Sequence, residues 1–165
     1  FMDPFTNTEG PPQPPALNAS LALLSYPGRT VLGNDPAIQL PASISELQSG
    51  VSLLYLRVSF GASNGNTGMT KNLLVEILHD KLHDAQNEHL YSYLLSLVPD
   101  TSTGSVVTDS TYEEDSSGLL TYTLKNSSAG DVDVKRLDFR LPDDSFATAP
   151  NGEYTSTVVV ALSVY

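Results

Sequence analysis

The sequence predicts an all-β sandwich, and three observations lead there. Charged residues make up only 16% of the 165-residue chain, against roughly a quarter in an average globular protein. Ser, Thr, Asn and Gln therefore supply the polar surface. Eleven glycines and eleven prolines interrupt the chain, as a fold with many tight turns requires. Between the interruptions, apolar residues recur at every second position, the period of a strand with one buried face.

The length fits one domain, large enough to bury roughly 68–70% of its unfolded surface without a metal or disulfide staple. The net charge of −11, from eight Lys and Arg against nineteen Asp and Glu, argues against nucleic acid, which needs a clustered positive surface. Nowhere do 18 consecutive apolar residues occur, so no membrane-spanning helix is expected. The first six residues, Phe1 to Thr6, resemble a cloning-vector scar, and Asn7 to Pro15 reads as a Pro-rich extended tail. The domain itself is expected over residues 16–165.

Each element then follows in order. Leu17, Ala19, Leu21 and Leu23 alternate with Asn18, Ser20 and Ala22, a half-buried strand ended by Pro27-Gly28. Thr30 to Leu40 reads as a second extended piece, kinked at Asp35-Pro36. Val51 to Phe60 puts Leu54, Leu56, Val58 and Phe60 on one face and Arg57 and Ser59 on the other. After the glycine-rich turn Gly61 to Gly68, Lys71 to Asp84 matches both templates: Leu74, Leu78 and Leu82 at helical spacing, or Leu73, Val75 and Ile77 alternating. The strand reading divides it into a strand over Asn72 to Leu78, a polar excursion with room for one short helix near residues 79–88, and a strand over His89 to Val98. The competing reading is a helical hairpin.

Beyond Pro99 every signal is β. A short strand is expected over Ser105 to Thr108, a charged turn over Glu113 to Gly118, and a strand over Leu119 to Leu124 with Leu120, Tyr122 and Leu124 on one face. Val132, Val134, Leu137, Phe139 and Leu141 form the next strand, whose change of parity predicts a bulge at Lys135-Arg136. Finally Glu153 to Tyr165 sets Tyr154, Val158, Val160, Leu162 and Val164 on one face. Thirteen residues is long for a strand, so a central or full-length element is expected. Seven to nine antiparallel strands with turns between them make an immunoglobulin-like sandwich the favoured architecture.

Chemistry is sparse. All three histidines, His79, His83 and His89, fall beside Glu76, Asp80 and Asp84. On a helix, His79 and His83 would share one face at a spacing that can bind a divalent metal. No H-E-x-x-H accompanies them, and the competing readings are a solvated polar face or a pH-sensitive surface. There is no G-x-S-x-G, P-loop or G-x-G-x-x-G, and the absence of cysteine excludes thiol chemistry. The acidic turns at Glu113 to Asp115 and Asp143-Asp144 lack the spacing of a calcium loop. No enzyme activity and no cofactor are expected. Tyr91 and Tyr93 share a parity and could present an aromatic pair to a sugar or protein, or serve as core cover.

The last 30 residues resemble the end of bacterial fimbrial subunits assembled by the chaperone–usher route, including the spore-coat-U-like branch. Those subunits close with a proline or alanine turn, a Gly-x-Tyr, an alternating strand and a terminal aromatic. Here the pattern reads Ala149, Pro150, Gly152, Tyr154, Val158, Val160, Leu162, Val164 and Tyr165, preceded by Leu137 to Asp144 (LDFRLPDD). Many such subunits carry a disulfide and this chain has no cysteine, which points to the Cys-free branches. The resemblance implies a fimbrial structural subunit or adhesin domain, exported through the periplasm to the cell surface, with neighbouring subunits or a periplasmic chaperone as partners. It also implies assembly by donor-strand exchange, in which an N-terminal alternating segment completes a neighbour's sheet. Leu17, Ala19, Leu21 and Leu23 fit the donor, and the strand from Tyr154 to Val164 would flank the acceptor groove. The same four residues equally suit the first strand of a self-contained sandwich. The alternative function is a stand-alone secreted or cell-surface module, binding a glycan or host protein through the excursion from His79 to Tyr93.

Overall fold

A computed structural model describes residues 16–40, 43–63, 68–100, 111–114, 118–142 and 144–165. The vector-like residues, the Pro-rich tail and the strand expected over Ser105 to Thr108 lie outside them. Along the chain run β1 (Ala16–Ser25), a short helix α1 (Ile44–Ser49), β2 (Val51–Ser63), β3 (Lys71–His79), β4 (Leu82–His83), β5 (Leu90–Tyr91), β6 (Leu94–Pro99), β7 (Thr111–Glu114), β8 (Leu119–Ser127), β9 (Val132–Arg140) and β10 (Val158–Val164). A 3₁₀ turn over Asp144–Thr148 precedes the last strand.

Eight of these strands form two four-stranded antiparallel sheets, ordered β1-β2-β9-β6 and β10-β3-β8-β7, while β4 and β5 make a separate hairpin. The fold is an all-β sandwich. Its core is where the alternating faces meet. Leu54, Leu56, Val58 and Phe60 of β2, Leu137 and Phe139 of β9, and Leu95 and Leu97 of β6 pack with Leu73, Val75 and Ile77 of β3 and Leu120, Tyr122 and Leu124 of β8. Each fully buried side chain of this size stabilises by about 1.5–3 kcal/mol.

The expected bulge at Lys135-Arg136 is absent. Residues 132–137 of β9 pair one by one with residues 59–54 of β2, and the irregularity sits on β2 between Ser52 and Leu54. Unbroken alternation therefore turns Asp133 and Lys135 inward beside Leu137 and Phe139, and both are completely buried. They are tolerated because they compensate each other. Lys135 Nζ donates to Asp133 Oδ1 and Oδ2 at 3.0 and 3.1 Å and lies 5.0 Å from the Tyr122 ring centroid. Burial pushes the Asp133 carboxyl above its ordinary range against the pull of Lys135. Burial first, and then the Asp133 charge, raises the Tyr122 phenol. Val134 faces the other way, in a small outer cluster with Leu24 and Tyr55. Arg29 covers that cluster at 4.1 Å from the Tyr55 centroid and is ion-paired to Asp100.

Several boundaries differ from the sequence expectation. Thr30 to Leu40 makes only an isolated bridge, Val31 to Leu24. No helix occupies residues 79–88: the segment folds as the β4-β5 hairpin, whose turn Asp84 closes by accepting from the Glu88 and His89 amides at 2.8 and 3.3 Å. The strand expected over His89 to Val98 is split into β5 and β6. Glu113 and Glu114 belong to β7 and not to a turn. The terminal strand is seven residues and not thirteen, and it is an edge strand paired only with β3. Conversely, α1 has no counterpart in the sequence expectation, although Ser43-Ile44-Ser45-Glu46 has capping-box spacing. Ser43 Oγ accepts from the Glu46 amide at 3.4 Å, and Gly50 follows the last turn at φ 110°.

The buried pair makes a direct prediction. Asp133→Ala leaves Lys135 without its carboxylate and should cost about 3–5 kcal/mol in urea unfolding, whereas Asp133→Leu combined with Lys135→Met should regain most of that loss.

Candidate functional site

The sequence-singled residues fall in two places, one end of the sandwich and one flank. At the end, β3 finishes at His79 and the next residue, Asp80, acts as an anchor. Asp80 Oδ1 accepts from Ser156 Oγ at 2.5 Å and from the Thr157 amide at 2.9 Å. The Tyr93 hydroxyl meets Ser156 Oγ at 2.5 Å, and His79 stacks on Tyr93 with centroids 4.2 Å apart. His83 and Thr155 exchange two backbone hydrogen bonds at 2.9 Å, and His83 Nε2 lies 3.5 Å from Asp80 Oδ2. His89 is paired instead with Asp84, Nδ1 to Oδ2, at 2.8 Å. Gly118 belongs to the same junction: at φ 84°, a Cβ there would sit 2.7 Å from the His79 carbonyl oxygen.

The chemistry of this junction is that of a fastening. Ser156 Oγ donates to the Asp80 carboxylate and meets the Tyr93 phenol, with the imidazole of His83 on the far oxygen of Asp80, so no imidazole touches the serine hydroxyl. Among the described residues, no group of three or more His, Cys, Asp or Glu could hold a metal ion. His79, His83 and His89 thus lie near one another in the chain but do not converge: His79 and His83 meet Asp80 at its carbonyl and its carboxylate, and His89 meets Asp84. Asp80 is the residue that sequence reasoning undervalued. It is bonded across 76 and 77 positions to Ser156 and Thr157, a separation that no local pattern reveals.

Tyr91 and Tyr93 do not form an exposed aromatic pair. Both are buried, at 7% and 4% exposure. Tyr91 packs edge-on against Phe146 and Tyr154, with centroids 5.0 and 5.7 Å away. Tyr154 closes that group and donates its hydroxyl to the Pro150 carbonyl at 2.7 Å, which explains an aromatic two residues after the turn. Gly152 has no neighbour within 4 Å of a built Cβ and no positive φ, so nothing in its surroundings requires glycine.

The flank is formed by β1 and β10, the edge strands of the two sheets on one side, which pack beside each other. Leu17, Ala19, Leu21 and Leu23 lie in β1, opposite Ala62, Phe60, Val58 and Leu56 of the chain's own β2. The core-facing residues Ala19, Leu21, Leu23, Val158, Val160 and Leu162 are only partly buried. On the opposite side Leu95 and Leu97 of edge strand β6 are sealed, at 2% and 0% exposure. The core is therefore closed on one side and half-covered on the other.

Charge follows the same division. Neither β1 nor β10 contains a charged residue, a proline or a glycine, whereas β6 ends in Pro99 and β7 contains Glu113 and Glu114. Proline and charge are the usual protection of a sheet edge. The chain matches no protein-family model, no curated protein and no solved structure. Its function is argued from this geometry and from the C-terminal residues alone.

The anchor gives a pH prediction. Burial disfavours the Asp80 carboxylate, but the Ser156 and Thr157 hydrogen bonds and the nearby His83 outweigh it and hold the carboxyl below its ordinary range. A lowered folded value stabilises above the unfolded value of about 3.9 and is lost as pH falls through the folded one. Asp80→Asn should therefore lower Tm at neutral pH, with the gap to the parent closing below about pH 4.

Proposed function

We propose that the protein is a non-catalytic subunit of a bacterial surface assembly, of the fimbrial kind that its C-terminal strand resembles, and that it associates by strand addition at the β1/β10 flank. The observation behind this reading is the unprotected edge of β10. Seven residues without charge, proline or glycine border a core whose facing side chains are half-exposed. Strand addition uses such an edge twice: main-chain hydrogen bonds supply affinity, and alternate apolar side chains fill the gap beneath.

The register identifies the groups available. Tyr165 and Asn72 exchange both of their backbone hydrogen bonds at 2.9 Å, and Thr157 accepts from the Asp80 amide. Alternation along an antiparallel pair then turns Ser163, Ala161 and Val159 toward β3 as well. Val158, Val160, Leu162 and Val164 direct their N–H and C=O groups away from it. Among the described residues no backbone hydrogen bond from a turn or loop meets those four.

In this reading the partners are neighbouring subunits, with a periplasmic chaperone covering the edge before assembly, and the site of action is the cell surface. β1 completes the chain's own first sheet, and its half-covered face forms one wall of the accepting flank. A glycan- or protein-binding module built on Tyr91 and Tyr93 has less to recommend it, because both rings are inside.

A proline on the outward side of β10 separates folding from association. At residue 160 it removes an N–H that β3 does not use, which edge strands tolerate. Light scattering over a concentration series should show the parent gaining mass, and Val160→Pro staying monomeric with nearly the parent's Tm. A parent that remains monomeric at every concentration contradicts the proposal.

A further inference from the structure

We infer that the strand added to β10 is β10 of a second copy, running antiparallel about a two-fold axis that passes by Ala161. This rests on reading the flank as the surface of association, and it specifies the occupant and the register. An isologous contact requires a surface that is complementary to itself, and β10 meets that requirement in hydrogen bonding, side chains and charge.

Hydrogen bonding comes first. The outward groups belong to residues 158, 160, 162 and 164, and an antiparallel partner must present its own outward groups opposite them. Centring the pair on Ala161 sets Val158 against Val164 of the second copy and Val160 against Leu162. All four outward residues on each strand are then matched. A shift of one residue would oppose outward groups with inward ones, and a shift of two would leave part of the edge unmatched. Ala161 meets its own counterpart as a pair without mutual hydrogen bonds, where antiparallel side chains approach most closely.

Charge restricts where such a pair can form. Two copies that each carry −11 repel, so they can meet only where no acidic group confronts its equal. β10 offers such a line. In the centred register Val159 faces Ser163, Val160 faces Leu162 and Ala161 faces Ala161, so no like charges stand opposite one another. Among the described residues, the acidic side chain opposite the centre of β10 is Glu76, which pairs with Ala161 from β3. It would lie three strand spacings, about 14 Å, from its counterpart, beyond the screening length of about 8–10 Å at ordinary ionic strength.

The uncharged β1 sits on the same side of the molecule, so the edge strand of the other sheet brings no charge to the approaching copy either. The result is a closed pair whose second sheet continues through eight strands, β7-β8-β3-β10 and its repeat. This pair, and not the single chain, would then be the unit that enters a larger assembly.

Cysteine cross-linking tests the register, because the chain contains no cysteine of its own. Residues 159, 161 and 163 are exposed, so the variants disturb no core contact. In the centred pair the two Cα atoms of residue 161 stand about 4.5 Å apart, inside the disulfide range of about 4.4–6.8 Å. The two copies of residue 159 are about 14 Å apart along the strands. With copper phenanthroline as oxidant, Ala161→Cys should convert to a band of twice the mass while Val159→Cys alone does not. Val159→Cys mixed with Ser163→Cys should give the mixed dimer. Equal cross-linking of Val159→Cys and Ala161→Cys overturns the register. A parent that gains mass without any Ala161→Cys dimer, or that grows into an open series of polymers, overturns the two-fold pair but leaves strand addition standing. A parent that is monomeric throughout, with no cross-link, overturns both.

Discussion

Two stacked sheets that do not close into a barrel leave four edge strands, and the protection of each edge decides what the molecule can do with its sides. Here the edges are treated unequally. β6 and β7 have a proline and two glutamates, and the side chains that β6 turns inward are sealed. β1 and β10 have neither device, and their inward side chains remain half-covered. An acidic chain with a low charge fraction could easily have placed one of its nineteen carboxylates on either strand. The uncharged flank is thus the side on which the ordinary protection of a sheet edge is missing.

The remaining structure holds that flank in place. β10 pairs only with β3, and the junction at its start adds a second hold, where Asp80 accepts from the Ser156 hydroxyl and the Thr157 amide and Tyr93 meets Ser156. The aromatic group of Tyr91, Phe146 and Tyr154 fixes the loop that leads into it. Deeper in the sandwich, β9 lies between β2 and β6, and the apolar Leu137 and Phe139 on its inward face set its register, with the Asp133–Lys135 pair neutralised on the same face. A one-residue slip would expose Leu137 and Phe139 and turn Arg136 and Asp138 inward instead. Arg136 and Asp138 pair on the outer face at 2.8 Å.

Much of this was legible in the sequence where the period was clean. The inward faces of β2, β3 and β8 follow directly from alternation over Leu54 to Phe60, Leu73 to Ile77 and Leu120 to Leu124, where every inward residue is apolar. β9 departs from the sequence expectation for a physical reason. Asp133 and Lys135 break the apolar alternation in the sequence, and a bulge is the economical way to keep charges out of a core. The pair instead neutralises itself on one face, a solution invisible to a rule that treats each charge alone. The C-terminal strand was overextended because Thr155 to Thr157 continue its alternation, while Asp80 draws Ser156 and Thr157 out of it. The helix near 79–88 failed to form because Asp84 is used to close a hairpin. The histidine window looked like a metal site only on the helix that this hairpin replaces. Edge status was not legible at all, since a strand's neighbours depend on pairing between distant segments.

Strand addition requires that the outward side of β10 be open in the single chain and occupied on association. Hydrogen exchange by NMR, measured residue by residue at low and high protein concentration, addresses it directly. The amides of Val158, Val160, Leu162 and Val164 should exchange freely in dilute solution and become protected as concentration rises, while Val75 and Ile77 of β3 stay protected throughout. Equal exchange of the four β10 amides at every concentration, or strong protection already present in the dilute monomer, would contradict it.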